Sequence, residues 1–292
     1  VSRPALLVTG GSGQVGTGII EANRDRFEIV APGRTELNLA DPASMEKFVG
    51  SRDWSAIINS GAYTAVDKAE SDEAAAFAIN GEAPGVFARL AAERDIPLLH
   101  ISTDYVFDGA KDRPYSEGYP VAPLGVYGAS KEAGERAVRT AGGRHIILRT
   151  AWVVSPWGSN FVKTMLRLGA EREQLGVVAD QIGCPTSAAD IAETLLALAE
   201  RLIADPAAPT GTYHFVSEGE ASWHDLAAYI FDRARARGRK VPQLNAIATA
   251  DYPTPAKRPG NSRLETDLIR RDYGISPRPW KAAIDDVLDR LF

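Results

Sequence analysis

Near its start the chain carries "ALLVTGGSGQVG" (5–16), and this stretch limits the fold more than any other in the sequence. A short apolar run ends in a glycine cluster, and a helical pattern from Gly16 to Arg24 follows directly. Gly10, Gly13 and Gly16 satisfy G-x-x-G-x-x-G, and Gly11, Gly13 and Gly16 satisfy G-x-G-x-x-G. Glycine permits positive φ and lets backbone N–H groups come close to a pyrophosphate. The helix N-terminus behind the loop favours the negative charge. A strand, a glycine turn and a helix in that order predict a dinucleotide-binding loop made of Gly10, Gly13 and Gly16.

The rest of the first half repeats the strand–helix alternation. "FEIVAPG" (27–33), "AIINSGA" (56–62), "PLLHIST" (97–103) and "HIILRT" (145–150) read as strands, apolar along their length as buried parallel strands are. Helical patterns lie between them at 41–51, 72–94 and 130–140. This order predicts an α/β fold with a doubly wound parallel sheet of the Rossmann type. Ligands of such sheets bind beyond the carboxyl ends of the strands. After residue 150 Pro and Gly become frequent ("SPWGSN", "GCPTS", "DYPTPAKRPGN") and the alternation fades. The expected division is a dinucleotide-binding domain at 1–150 and a smaller, less regular α/β substrate domain at 151–292, with the 190–203 helix packing back on the first. The basic run "RARARGRK" (233–240) reads as the end of a solvated helix.

Composition removes several other classes. The 292 residues are 45% hydrophobic and 24% charged, ordinary for a globular protein. No apolar run approaches the roughly 20 residues that span a bilayer, and no secretory signal is recognisable, so no membrane role is expected. A formal charge of −5 argues against a nucleic-acid binder. Cys184 is the one cysteine, which fits a reducing cytoplasm, and it reads as a small buried residue. The four histidines are scattered, so no metal site is expected from them, and His100 reads as a core histidine.

Polar residues at the strand ends carry the chemistry. An NAD site usually has an acid at the end of the second strand; here Arg34 follows "VAPG", with Glu36 close by. An arginine there suits a 2′-phosphate, so NADPH is expected ahead of NADH. The fourth strand ends in Ser102, Thr103 and Asp104. Tyr127 and Lys131 follow in "YGASKEAGE", four residues apart and on one helix face. An ammonium beside a phenol lowers its pKa and makes it a better proton donor to a carbonyl that accepts hydride. Trp152, after the fifth strand, suits substrate contact, and Arg258 in the Pro-rich loop suits a nucleotide diphosphate or a nearby carboxylate.

Y-x-x-x-K, an upstream Thr and an N-terminal T-G-x-x-G-x-x-G resemble the extended short-chain dehydrogenase/reductases. "TAVDKAE" (64–70), "STDYVFDG" (102–109), "DQIGCPTSAADIA" (180–192) and "YPTPAKRPGNSRL" (252–264) are similar to the dTDP-4-dehydrorhamnose reductase family over almost the whole chain. The resemblance implies reduction of the C4 ketone of dTDP-4-dehydro-6-deoxy-L-mannose to dTDP-L-rhamnose by NAD(P)H. It implies Tyr127 as proton donor, Lys131 as its partner, and Thr103 as the residue tuning the reacting oxygen. It places Gln14, Val15, Asn38 and Leu39 along the diphosphate and adenine, and Ala62, Tyr63 and Thr64 farther along the cofactor. Thr103, Asp104 and Trp152 would contact the dTDP-sugar. Asn38 stands where relatives often have Asp, and "NSGA" (59–62) where they often have "NAAA". The family includes homodimers joined through Mg²⁺ held by C-terminal acids; Asp285, Asp286 and Asp289 are the acids here, and equally a solvated helix face. Two alternatives keep these motifs: a 4-ketoreductase for another dTDP-deoxysugar, and a non-catalytic regulatory subunit of the same fold.

Overall fold

The computed structural model describes residues 3–292. Its strands are β1 (Ala5–Thr9), β2 (Glu28–Val30), β3 (Ala56–Asn59), β4 (Leu98–Thr103), β5 (His145–Thr150), β6 (Val153–Val154), β7 (Gln174–Val178), β8 (Ile182–Gly183), β9 (Thr186–Ser187), β10 (Gly211–His214), β11 (Ala221–Ser222) and β12 (Gln243–Ile247). Its helices are α1 (Gln14–Ala22), α2 (Pro42–Val49), α3 (Val66–Ala69), α4 (Glu73–Phe77), α5 (Ala83–Glu93), α6 (Val126–Thr140), α7 (Phe161–Glu171), α8 (Ala188–Ala204), α9 (Trp223–Ala236), α10 (Asp267–Tyr273) and α11 (Trp280–Asp289).

Six strands form one sheet in the order β10-β5-β4-β3-β1-β2, and every pair is parallel. Alternate residues point to opposite faces of a strand, so the continuous apolar runs supply two cores. Leu6, Val8, Ile58, Leu99 and Ile146 face one side, against Ile19 of α1 and Ile191 and Leu195 of α8. Leu7, Ile57, Leu98 and Ile147 face the other, against Met45 of α2 and Phe87 of α5. A third core joins α7, α9 and α11 through Val162, Leu226, Ile230, Ile284 and Leu288. Small two-stranded sheets, β12-β7, β11-β8 and β6-β9, complete that second unit.

Four features differ from the sequence-based expectation. The second strand is shorter, only 28–30. The helix expected over 72–94 is interrupted by a π-helical turn at Ala78–Glu82. Pro84 has no N–H to give the carbonyl of Asn80, so the α register cannot continue through it. Beyond residue 150 the chain adds a strand to the first sheet, which the division at 150 does not provide for: β10 pairs with β5, placing Thr212 opposite Ile147, while α8 lies against α1, on the side where the 190–203 helix was expected. The basic run is not simply solvated, because Arg233 pairs with Asp285 at 2.7 Å and Arg237 pairs with Asp289.

Candidate active site

The chain leaves β1 towards β2 on one side and returns as β3 on the other, so the strand order reverses between β1 and β3. A crevice opens at such a reversal. Gly10 sits there at φ +69°, and a Cβ on it would come within 2.7 Å of the Gly61 Cα. A Cβ on Gly16 would stand 2.1 Å from the Gly10 carbonyl oxygen. The loop therefore closes tightly only as glycine. Gly13 precedes α1 without any side-chain cap, so the first amides of the helix remain free to bind an anion. This cradle fits the diphosphate of a dinucleotide. Val15 packs partly into the core beneath it. The Gln14 side chain is engaged elsewhere: its Oε1 accepts from Ser155 Oγ at 2.7 Å and from Asn160 Nδ2 at 2.9 Å.

Arg34 is exposed and has no carboxylate partner among the described residues. Glu36, its acidic neighbour, turns back and accepts from the Gly33 N–H at 2.9 Å. Asn38 forms a local turn, with its Oδ1 accepting from Ala40 N at 3.0 Å. Leu39 lies over Gly61: a Cβ there would be 2.6 Å from Leu39 Cδ1. The glycine in "NSGA" is thus matched to its own neighbour. Ala62 and Tyr63 are half-buried and Thr64 is exposed. Buried Asn80, in the π turn, accepts from Tyr63 N at 2.8 Å and donates to Ser130 Oγ of α6 at 3.1 Å. It ties the segment after β3 to the helix that carries Tyr127. Sequence reasoning missed it; the proline four residues on was the available signal.

Tyr127 lies in the first turn of α6, which starts at Val126, earlier than the expected 130. A Cβ on Gly128 would be 2.2 Å from the Tyr105 carbonyl oxygen, so α6 presses against the turn that follows β4. This contact brings Tyr127 to Thr103 and Asp104. Thr103 Oγ1 donates to Asp104 Oδ1 at 2.9 Å. The downward shift expected for the phenol does not occur. Burial, then the charge of Asp104, push Tyr127 upward, and the nearby Thr103 hydroxyl offsets part of this. Lys131 is buried and donates to the Ile101 carbonyl at 2.7 Å. Loss of water brings its ammonium down to about 8, with Glu135 opposing. Asp104 is buried with one oxygen, Oδ2, unpartnered. Burial raises its carboxyl to about 6, with the neighbouring Ser262 and Thr103 hydroxyls opposing.

Behind the pair lies a charge cluster that sequence reasoning also missed. Glu135 takes two bonds from Arg149, at 2.6 and 2.8 Å, and one from Ser102 at 2.6 Å. Its position was legible as the next step of the i, i+4 row from Tyr127 and Lys131. Its partner on β5 was not.

Trp152 follows β5 at φ +50°, a strained conformation for a bulky residue. It stacks on Trp223 with ring centroids 3.5 Å apart. Arg258 reaches Asp67 at 2.7 Å and the Tyr105 hydroxyl at 3.2 Å. Asp285, Asp286 and Asp289 each face an arginine, and no group of three His, Cys, Asp or Glu among the described residues could hold a metal. Cys184 is buried, and loss of water drives its thiol up to about 12, away from nucleophilic use. His100 is buried, with Nδ1 3.1 Å from Asn59.

What converges at the strand tips is the working end of an extended short-chain dehydrogenase/reductase, an oxidoreductase that binds NAD(P). Comparison with known proteins narrows the class. The model of the RmlD substrate binding domain family matches residues 4–292. The dTDP-4-dehydrorhamnose reductase of Aggregatibacter actinomycetemcomitans is 43% identical, over 97% of each chain. That of Escherichia coli K12 is 39% identical over 98% of each. The crystal structure of the Bacillus anthracis dTDP-4-dehydrorhamnose reductase in complex with NADP superposes with a TM-score of 0.90 at 33% identity, covering 98% of this chain and 99% of that one. The chain belongs to the dTDP-4-dehydrorhamnose reductase family. No helix among its described residues is long and apolar enough to cross a membrane.

Proposed function

We infer that the protein reduces the C4 ketone of dTDP-4-dehydro-6-deoxy-L-mannose to dTDP-L-rhamnose with NAD(P)H. The observation that carries this is Tyr127 beside Thr103 at the end of β4, with Lys131 one turn behind, in a chain of this family.

The glycine loop and the first amides of α1 bind the diphosphate, and Ala62, Tyr63 and Thr64 extend the groove. NAD(P)H held there would supply the hydride that the ketone carbon accepts. Thr103 and Tyr127 hydrogen-bond the carbonyl oxygen. Its raised pKa keeps the Tyr127 phenol protonated, and a sugar alkoxide is basic enough to take that proton. Lys131 holds the ribose and steadies the phenolate that forms. Trp152 and Asp104 form walls for the sugar, and Arg258 binds its diphosphate.

Arg34 supports NADPH, since its guanidinium is exposed and the Glu36 carboxylate is occupied by the Gly33 N–H. A cytoplasmic location suits one reduced, buried cysteine. Residues 1–150, with the returning α8 and β10, bind cofactor, and the remainder encloses the sugar nucleotide.

The test is loss of reduced-nicotinamide absorbance with the ketosugar as substrate, with the product identified by NMR. Wild-type turnover should exceed Tyr127→Phe by about a hundredfold or more, the usual contribution of a positioned general acid. Equal rates would refute the reading, and a different 4-hydroxy sugar would assign the enzyme to another deoxysugar. Arg34→Ala should raise KM for NADPH and leave that for NADH unchanged.

A further inference from the structure

Arg258 already has an anionic partner. Asp67, in α3 after β3, accepts from Arg258 Nη2 through Oδ2 at 2.7 Å and from the Ala256 N–H through Oδ1 at 3.2 Å. It is the one carboxylate that pairs with Arg258 among the described residues. The other guanidinium arm donates to the Tyr105 hydroxyl at 3.2 Å. The Tyr105 ring in turn meets Tyr127 edge-on, with centroids 5.4 Å apart at 80°. The same loop is fixed at its far end, where Ile182 N donates to the Gly260 carbonyl at 2.9 Å and Asn261 N to the Gly109 carbonyl at 3.0 Å. Asp67 therefore holds the near end of a wall beside the tyrosine and shares the charge of its arginine.

The pairing is easily exchanged. The Asp67 side chain is 43% exposed, and it meets the guanidinium through one oxygen and one nitrogen. Arg258 is less exposed, at 20%, but a single-point contact holds a guanidinium less firmly than a bidentate one. Arg258 retains further N–H donors, and a diphosphate presents paired oxygens that match a guanidinium better than this contact does.

We propose that Asp67 is a resident counter-ion for Arg258, which the nucleotide diphosphate displaces, and that its negative charge sets how loosely the dTDP group is held. The proposal rests on the assignment of Arg258 to the diphosphate. The incoming dianion takes the guanidinium and remains beside the Asp67 carboxylate, which repels it. Substrate and product share the dTDP group, so binding energy at this point acts on both alike and slows release when it is large. A built-in competitor limits it.

The experiment measures dTDP binding to the intact protein by calorimetry, with NADPH affinity as the control for folding. Asp67→Asn keeps an oxygen for the Ala256 N–H and removes the charge together with the acceptor that holds Arg258. It should tighten dTDP about tenfold, equivalent to about 1.4 kcal/mol, lower KM for the ketosugar and lower kcat with it. NADPH affinity should not move. Asp67→Glu restores the charge and should bind dTDP as the wild type does. The gain should vanish when Arg258→Gln is added. Unchanged or weaker dTDP binding in Asp67→Asn, with NADPH affinity intact, overturns the counter-ion role. If Arg258→Gln alone leaves dTDP affinity unchanged, the diphosphate assignment itself fails, a separate result that removes the proposal's basis.

Discussion

At Lys131 burial and charge pull in opposite directions. Burial favours the neutral amine and brings the group down to about 8, while the Glu135 carboxylate one turn away favours the ammonium. The ammonium is the form that steadies a phenolate, and it is lost as pH rises through that value. kcat/KM should therefore fall above pH 8, approaching about tenfold per pH unit, since this parameter reports groups of the free enzyme. A profile flat to pH 10 would remove Lys131 from the step. Asp104 gives a stability effect of defined sign. Its folded pKa of about 6 lies above the unfolded 3.8, so the folded state holds the proton more tightly. That contribution is fully present below about pH 4 and lost as pH rises through 6. Asp104→Asn should stabilise the ligand-free protein at pH 8 by at most about 3 kcal/mol, at roughly 1.36 kcal/mol per pKa unit. The gain should disappear near pH 4 in urea titrations. The candidates for the chemistry were legible here in residue type and spacing. Their protonation was not, because it follows from burial and from charges on other elements.

The decisive element is α6. Its sequence shows a helix, and the row 127, 131, 135 is a plain helical stripe. What sets its position is the close approach of Gly128 to the Tyr105 carbonyl. Gly128→Ala would force a 2.2 Å contact apart and lift Tyr127 from Thr103. The expected result is a loss of about 1–3 kcal/mol of stability, as for other overpacked sites. Turnover should fall well beyond what the lost stability explains; a variant less stable but fully active would show that this contact does not position the tyrosine. The stripe ends on Glu135, which Arg149 holds from β5. No local pattern announces that pairing, because the two residues are joined only by the strand order of the sheet.

Across the molecule, the two units meet at the glycine loop. Ser155 and Asn160 of "SPWGSN" enclose the Gln14 side chain, and Asn160 also caps α7 through its Oδ1. A second tie joins Arg290 to Glu21 of α1 at 2.9 Å. Asn160→Ala should cost about 1–2 kcal/mol by loss of the cap and the link, seen as a lower urea midpoint. It should also reduce kcat/KM for NADPH and for the ketosugar together, because the loop and the sugar wall would no longer be held in register. A fall for the sugar alone would place Asn160 on the substrate side only.

The amino-acid sequence by itself determined the parallel sheet, the dinucleotide loop and the pattern that singles out Thr103, Tyr127 and Lys131 as candidates. These follow from local periodicity, from glycine's φ freedom and from side-chain chemistry, all carried by neighbours in the chain. Tertiary structure decided the return of β10 to the sheet, the use of Gln14 as a link between units, the pairing of Arg258 with Asp67 and the upward shift of the tyrosine. Each of these depends on groups far apart in sequence that packing brings within hydrogen-bond reach or cuts off from water. Spacing along the chain carries no record of either.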